Sequence, residues 1–278
     1  MRISRDAAVW AGFTAVFVAV LAALVARHLH FGAALNQAVF DYPAHPPATC
    51  APLPGKPEPD DVVPRYRVRA PANYDPGYRH PLLVVFSPAG FTAALSERHL
   101  GLTRAATAAG LLVAYVDSMP LSLAAIDAFA RVPQRVARQW CVHPARITLA
   151  GHSDGGTIAQ VVALSGAQDG DRPAAIAASA AGILATDIRA HDCPLALDVR
   201  LWHGADDGHF PGYGASATAG WAHCLGCSAA QPMEAGGCIR YAGCRGSLEY
   251  CEHGGGHLRW PPQATTALVS LAASARRD

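Results

Sequence analysis

Apolar and polar positions divide the chain into three stretches. Residues 7–26 form an unbroken apolar run with Thr14 as the single polar side chain. About 20 apolar residues cross a bilayer core as a helix. A segment with no polar face also lacks the one-sided stripe of a core helix. Arg2 and Arg5 precede it, and Arg27, His28 and His30 follow it. The pattern predicts a membrane anchor or signal peptide in residues 1–30. A signal peptide has a shorter apolar stretch, about 7–15 residues, and a small-x-small cleavage site. Leu24-Val25-Ala26 fits that site poorly, which favours an uncleaved anchor. Either form exports the rest of the chain to the periplasm or beyond. Residues 31–62 read as a proline-rich linker ending in two acids, extended and poorly packed. Residues 63–278 are the globular part, enough for one sizeable core.

Within that part, continuous apolar runs alternate with helical spacing. Strands are expected at residues 82–86, 111–116, 146–150 and 199–202. Helices are expected at residues 97–109, closed by Gly110, and at 122–140, interrupted near Pro133. Two more are expected at 157–164 and 263–273. Between Asp207 and His257 the glycine-rich sequence reads as one long loop. Strands alternating with helices indicate an α/β fold, a mostly parallel sheet with helices on both faces.

Composition narrows the function classes. Hydrophobic residues are 51%, charged residues 15% and the net charge +1. A disordered or coiled-coil chain is excluded, and no attraction to nucleic acid is implied. Eight cysteines, an even number in an exported chain, suggest up to four disulfides. Cys224 and Cys227 form a C-x-x-C pair, but neither a thioredoxin-like unit nor a second such pair accompanies it, so structural disulfides are expected.

The chemistry centres on Gly151-His152-Ser153-Asp154-Gly155, a G-x-S-x-G sequence between a buried strand and a helix. A serine on such a strained turn stands clear of the sheet, beside helix N–H groups that favour developing negative charge. Its base and orienting acid follow in the order acid, then histidine. Asp206 and Asp207 lie just past the strand ending at Trp202, and at most one is expected to face the site. His257 follows three glycines, with His253 as the alternative four residues earlier.

These segments resemble the polyhydroxybutyrate depolymerase / feruloyl esterase group of α/β-hydrolases. The resemblance runs over roughly residues 63–265. It rests on the arginine-led strand into the elbow at residues 146–156 and on His203-Gly204-Ala205-Asp206-Asp207-Gly208-His209-Phe210-Pro211. It also rests on Gly254-Gly255-Gly256-His257 with Trp260-Pro261. It implies an α/β-hydrolase fold and a serine esterase with Ser153 as nucleophile, His257 as base and Asp207 as the orienting acid. The backbone N–H groups of Asp154 and Ala89 would hold the oxyanion. No metal or organic cofactor is implied. The family's cysteine pair corresponds to Cys227 and Cys244.

Where the family has Leu-His-Gly, this chain has Ser87-Pro88-Ala89-Gly90-Phe91, and Pro88 has no N–H to donate. That stretch also resembles the loop of cutinase-like polyester hydrolases, whose register selects Phe91. Asp154 stands where the family often has asparagine. The expected substrates are hydroxyalkanoate oligomers, feruloyl or acetyl esters, or small esters. The short stretch after His257 leaves no room for a polymer-binding domain, which favours a soluble or oligomeric ester. A peptidase or amidase, or a membrane-anchored binding protein on the same fold, are the alternatives.

Overall fold

The structure, a computed structural model, describes residues 5–43, 50, 63–165, 172–193, 196–232 and 237–277. One nine-stranded sheet organises it, in the order β1-β3-β2-β4-β5-β6-β9-β8-β7. β2 (His80–Phe86) and β3 (Leu112–Val116) are buried at every position, as strands covered on both faces must be. β4 (Val142–His152), β5 (Ala175–Ser179), β6 (Leu197–Gly204) and β9 (Gly246–His253) continue the parallel set. β1 (Tyr66–Arg69) pairs antiparallel at one edge, and β8 (Cys238–Ala242) and β7 (Ala229–Pro232) do so at the other. Two apolar clusters cover the two sheet faces. One centres on Phe86, Phe129, Ile158 and Trp221. The other centres on Leu83, Tyr115, Trp202 and Leu268.

The helices follow local signals. α2 (Ala93–Leu100) starts where the Thr92 hydroxyl accepts the Leu95 N–H and stops at Gly101, φ 62°. A second helix, α3 (Thr103–Ala108), follows, so the single helix expected over 97–109 is two. α4 (Leu123–Ala130) and α5 (Val132–Gln139) show the interruption expected near Pro133, which sits in the first turn of α5, where its missing N–H costs nothing. α6 (Asp154–Ser165) and α7 (Ala185–Arg189) come next, and α9 (Pro262–Ser274) closes the chain. The stretch read as one loop from Asp207 to His257 instead holds α8 (Tyr213–Cys224), β7, β8 and β9. β5 also went unforeseen, because its alanines carry little strand signal.

α1 (Arg5–Leu35) is a 31-residue helix, and residues 16–30 of it are exposed. The segment after it is extended but not loosely packed. Gln37 donates to the Ala70 carbonyl, the Ala38 N–H donates to Thr107, and Phe40 and Asn73 exchange two bonds. Phe40 and Tyr42 pack edge-on, 4.7 Å between centroids, and Tyr42 reaches Tyr78 and His80. Cys50 is bonded to Cys141 at the start of β4. The rest of the linker, residues 44–49 and 51–62, lies outside the described residues.

Candidate active site

β4 delivers the chain into a turn at which Ser153 adopts φ 56°. This left-handed conformation costs a non-glycine residue roughly 1–2 kcal/mol. It is held from both sides. The Ser153 N–H donates to the Ser179 carbonyl at 2.9 Å, and the Thr157 N–H donates to the Ser153 carbonyl at 3.0 Å. The turn also presses on the end of β2. A Cβ on Gly155 would stand 2.0 Å from the Phe86 carbonyl oxygen, and one on Gly151 would stand 2.2 Å from Gly155. Only glycine fits at these two positions.

Ser153 Oγ lies 2.8 Å from His257 Nε2, and His257 Nδ1 lies 2.9 Å from Asp207 Oδ2. The three come from the C-terminal ends of β4, β9 and β6. Asp207 is 3% exposed. Its Oδ1 accepts the N–H groups of His209 and Phe210, both at 2.9 Å. The first of these is the aspartate's own turn, closed two residues on. Burial pushes the Asp207 carboxyl up. The Phe210 N–H, the His257 ring and the His209 N–H together outweigh burial and hold it below its ordinary range. An ionised carboxylate can only accept, so it draws the His257 proton to Nδ1 and leaves Nε2 free to accept from Ser153. His203 stands behind, its Nε2 donating to the Phe210 carbonyl at 2.9 Å and 3.5 Å from Asp207 Oδ2.

The neighbouring acid does different work. Asp206 Oδ2 accepts the Gly255 N–H, and its own N–H donates to the Gly255 carbonyl, each at 3.2 Å. This clasp fixes the glycine run that carries His257. His253 ends β9 with its ring against the Gly254 carbonyl and is not bonded to Ser153. Sequence reasoning missed the Asp206 clasp and the His209 and Phe210 donors. The adjacency of these residues to Asp207 was the available signal.

Asp154 opens the 12-residue α6, so its N–H is one of the unbonded donors at the start of that helix. Ala89 is exposed in the turn after β2, with Gly90 at φ 73°. In that turn the Phe91 N–H is engaged by the Pro88 carbonyl at 3.0 Å. Among the described residues, the Ala89 N–H donates to no carbonyl.

His152, immediately before the serine, is 1% exposed, and neither ring nitrogen has a hydrogen-bond partner among the described residues. Its ring lies 5.5 Å from that of His99 and 5.7 Å from that of His257. Burial first, then the His99 and His257 rings, push its pKa down to about 3. The His257 backbone and Asp207 offset only part of this.

Four disulfides are present, and two bear on β9. Cys238 is bonded to Cys251, across the β8–β9 ladder and two residues before β9 ends. Cys227 is bonded to Cys244, in the turn before β9 begins. The bond beside the His257 loop is therefore Cys238–Cys251, and Cys227–Cys244 secures the far end of the strand. Cys193–Cys224 joins the segment after α7 to the end of α8.

No protein-family model matches the chain, and no curated protein matches it in sequence. Solved structures do. Esterase PE8 has a TM-score of 0.54 at 15% identity, covering 76% of this chain and 98% of that one. An S-formylglutathione hydrolase from Agrobacterium tumefaciens has a TM-score of 0.56 at 14% identity, covering 77% and 90%. The butyrate-bound esterase Est2 of the planctomycete Thermogutta terrifontis has a TM-score of 0.53 at 16% identity, covering 77% and 88%. At such identities the likeness is one of fold. The order of the sheet, the turn at Ser153 and these structural neighbours together place the chain in the α/β-hydrolase fold class.

Proposed function

We propose that the protein is a serine hydrolase of carboxylic esters, acting through an acyl-enzyme. The observation that carries this reading is the unbroken hydrogen-bond chain Asp207–His257–Ser153, with the serine in a left-handed turn at a helix start. Ser153 Oγ attacks the ester carbonyl while His257 Nε2 takes its proton. The oxyanion is held by the N–H groups of Asp154 and Ala89. The C–O bond to the alcohol breaks, and His257 returns the proton to that oxygen. Water, deprotonated by His257, then attacks the acyl carbon, releases the acid and restores Ser153. Asp207 keeps the imidazole in the required tautomer and stabilises its cation.

On substrate, the resemblance to polyhydroxybutyrate depolymerases and feruloyl esterases points to hydroxyalkanoate oligomers, feruloyl or acetyl esters, or small esters. The four disulfides and α1, whose described residues hold an apolar stretch long enough to cross a membrane at Val16–Leu35, fit an exported protein; the anchor we propose is the apolar run of residues 7–26. The Thermogutta esterase is phosphorylated by paraoxon, and a fluorophosphonate probe tests the same reactivity here. Labelling should occur in the wild type and vanish in Ser153→Ala. Hydrolysis of p-nitrophenyl, feruloyl and hydroxybutyrate esters should fall roughly 10⁴–10⁶-fold in that variant. Absence of labelling in folded protein would refute the enzyme reading, and turnover of anilides without esters would make it an amidase.

A further inference from the structure

α1 does more than precede the domain. Its last turns lie along α2, where Ala34 approaches Gly101, and the bonds of Gln37 and Ala38 pin the chain just past its end to the residue after β1 and to α3. Between the two helices is a cavity of about 410 Å³, within the size range of ligand pockets. Its apolar wall is Leu24 and Phe31 of α1 and Leu95 of α2. Leu24 is 58% and Leu95 49% exposed, large apolar surface that the protein itself does not cover.

Two residues of the lining neighbour the candidate active site. These are Phe91, which closes the Ala89 turn, and His99, with ring centroids 5.8 Å apart. His99 in turn lies 5.5 Å from His152, the residue before Ser153. Two cations, Arg27 and Arg98, also line the cavity. Arg27 rests over the Phe31 ring at 5.4 Å, and among the described residues neither cation is paired with a carboxylate.

The depth is set by the sequence. Phe31 is five residues beyond the apolar run that ends at Ala26, or about 7.5 Å of helix rise. The headgroup layer of a bilayer is roughly 5–7 Å deep on each side. The cavity therefore falls at the membrane–water boundary when residues 7–26 span.

The geometry points to this cavity as an acyl-chain site for an anionic glycerolipid ester taken from the membrane surface. This deepens the ester-hydrolase reading and rests on it and on α1 being retained. The chain lies against Leu24, Phe31 and Leu95, the anionic group faces Arg27 and Arg98, and the ester carbonyl reaches Ser153 past Phe91. A helix pinned to the domain holds the mouth of the site at the surface where such an ester is found.

The test uses the full chain in nonionic detergent micelles. Ser153→Ala protein is irradiated with phosphatidylglycerol carrying a diazirine on one acyl chain, and cross-links are mapped by mass spectrometry. They should fall on residues 24–35 and 91–99. Unlabelled phosphatidylglycerol should compete at least fivefold better than phosphatidylcholine or free fatty acid. That preference should disappear in Arg27→Glu/Arg98→Glu. In Leu95→Trp, which fills the cavity, phosphatidylglycerol hydrolysis should fall at least tenfold further than p-nitrophenyl acetate hydrolysis. Cross-links elsewhere, equal loss on both esters, or a mature protein lacking residues 24–35 would overturn the proposal. Cross-links as expected, with no fluorophosphonate labelling and no turnover of either ester, would keep the lipid site and overturn the hydrolase reading instead.

Discussion

His152 should make the fold sensitive to acid well above the usual carboxylate range. A histidine in an unfolded chain titrates near 6.5, whereas burial pushes His152 down to about 3. Between those values the unfolded chain binds a proton that the folded chain refuses. Stability from this residue is therefore full above about pH 6.5 and drains as pH falls toward 3. At about 1.36 kcal/mol per unit, the whole window is worth roughly 5 kcal/mol. Between pH 7 and 4.5 the loss is about 2.5 kcal/mol, a large share of a typical 5–15 kcal/mol. His80 and His99 are pushed down by burial too, so they add to the wild-type slope. The comparison that isolates His152 is His152→Met, which fills a similar space and cannot titrate. Guanidinium unfolding with the disulfides intact, followed by the fluorescence of buried Trp202 and Trp221, gives both stabilities. The variant's advantage over wild type should grow by about 2.5 kcal/mol from pH 7 to pH 4.5. Growth below about 0.5 kcal/mol would refute this by showing that the ring gains a proton or a partner in the folded state.

Three further outcomes follow from particular contacts. Replacing Cys238 and Cys251 together by alanine should lower kcat on small esters several-fold more than the same change at Cys227 and Cys244, because only the first bond borders the His257 loop; equal kcat values would refute this. Asp206→Ala removes one half of the clasp on Gly255 and should lower kcat about tenfold or more, since a 1 Å displacement of a catalytic group can cost roughly 100-fold; unchanged kcat with unchanged stability would exclude the bracing role. Glu97 is 2% exposed and joins Arg69 and Thr103 across β1, α2 and α3. Glu97→Ala should cost about 3–5 kcal/mol in denaturant unfolding by leaving Arg69 half-buried without its partner, and a loss under 1 kcal/mol would contradict that.

The features legible in the sequence are those whose cause is local. An apolar run of membrane length makes α1, Val and Leu runs make β2 and β3, and a glycine-flanked serine between strand and helix makes the turn at Ser153. Each depends on residues within a few positions of one another, so periodicity and turn chemistry suffice. Pro133 announced the break at Arg131, but the break at Gly101 was less visible, because apolar spacing carries through a stop that a left-handed glycine enforces.

What tertiary structure decided depends on pairing across distance. Asp207 meets His257 fifty positions away, while Asp206 turns to Gly255, and nothing in two adjacent aspartates distinguishes those fates. The stretch from 207 to 257 looked like loop because its glycines are read locally as breakers. In the fold, β9 is secured by β6 on one side and β8 on the other, and that pairing overrides the local preference. The same reason governs the cysteines: which two meet is set by strand register, and it is the β8–β9 register that brings Cys238 opposite Cys251.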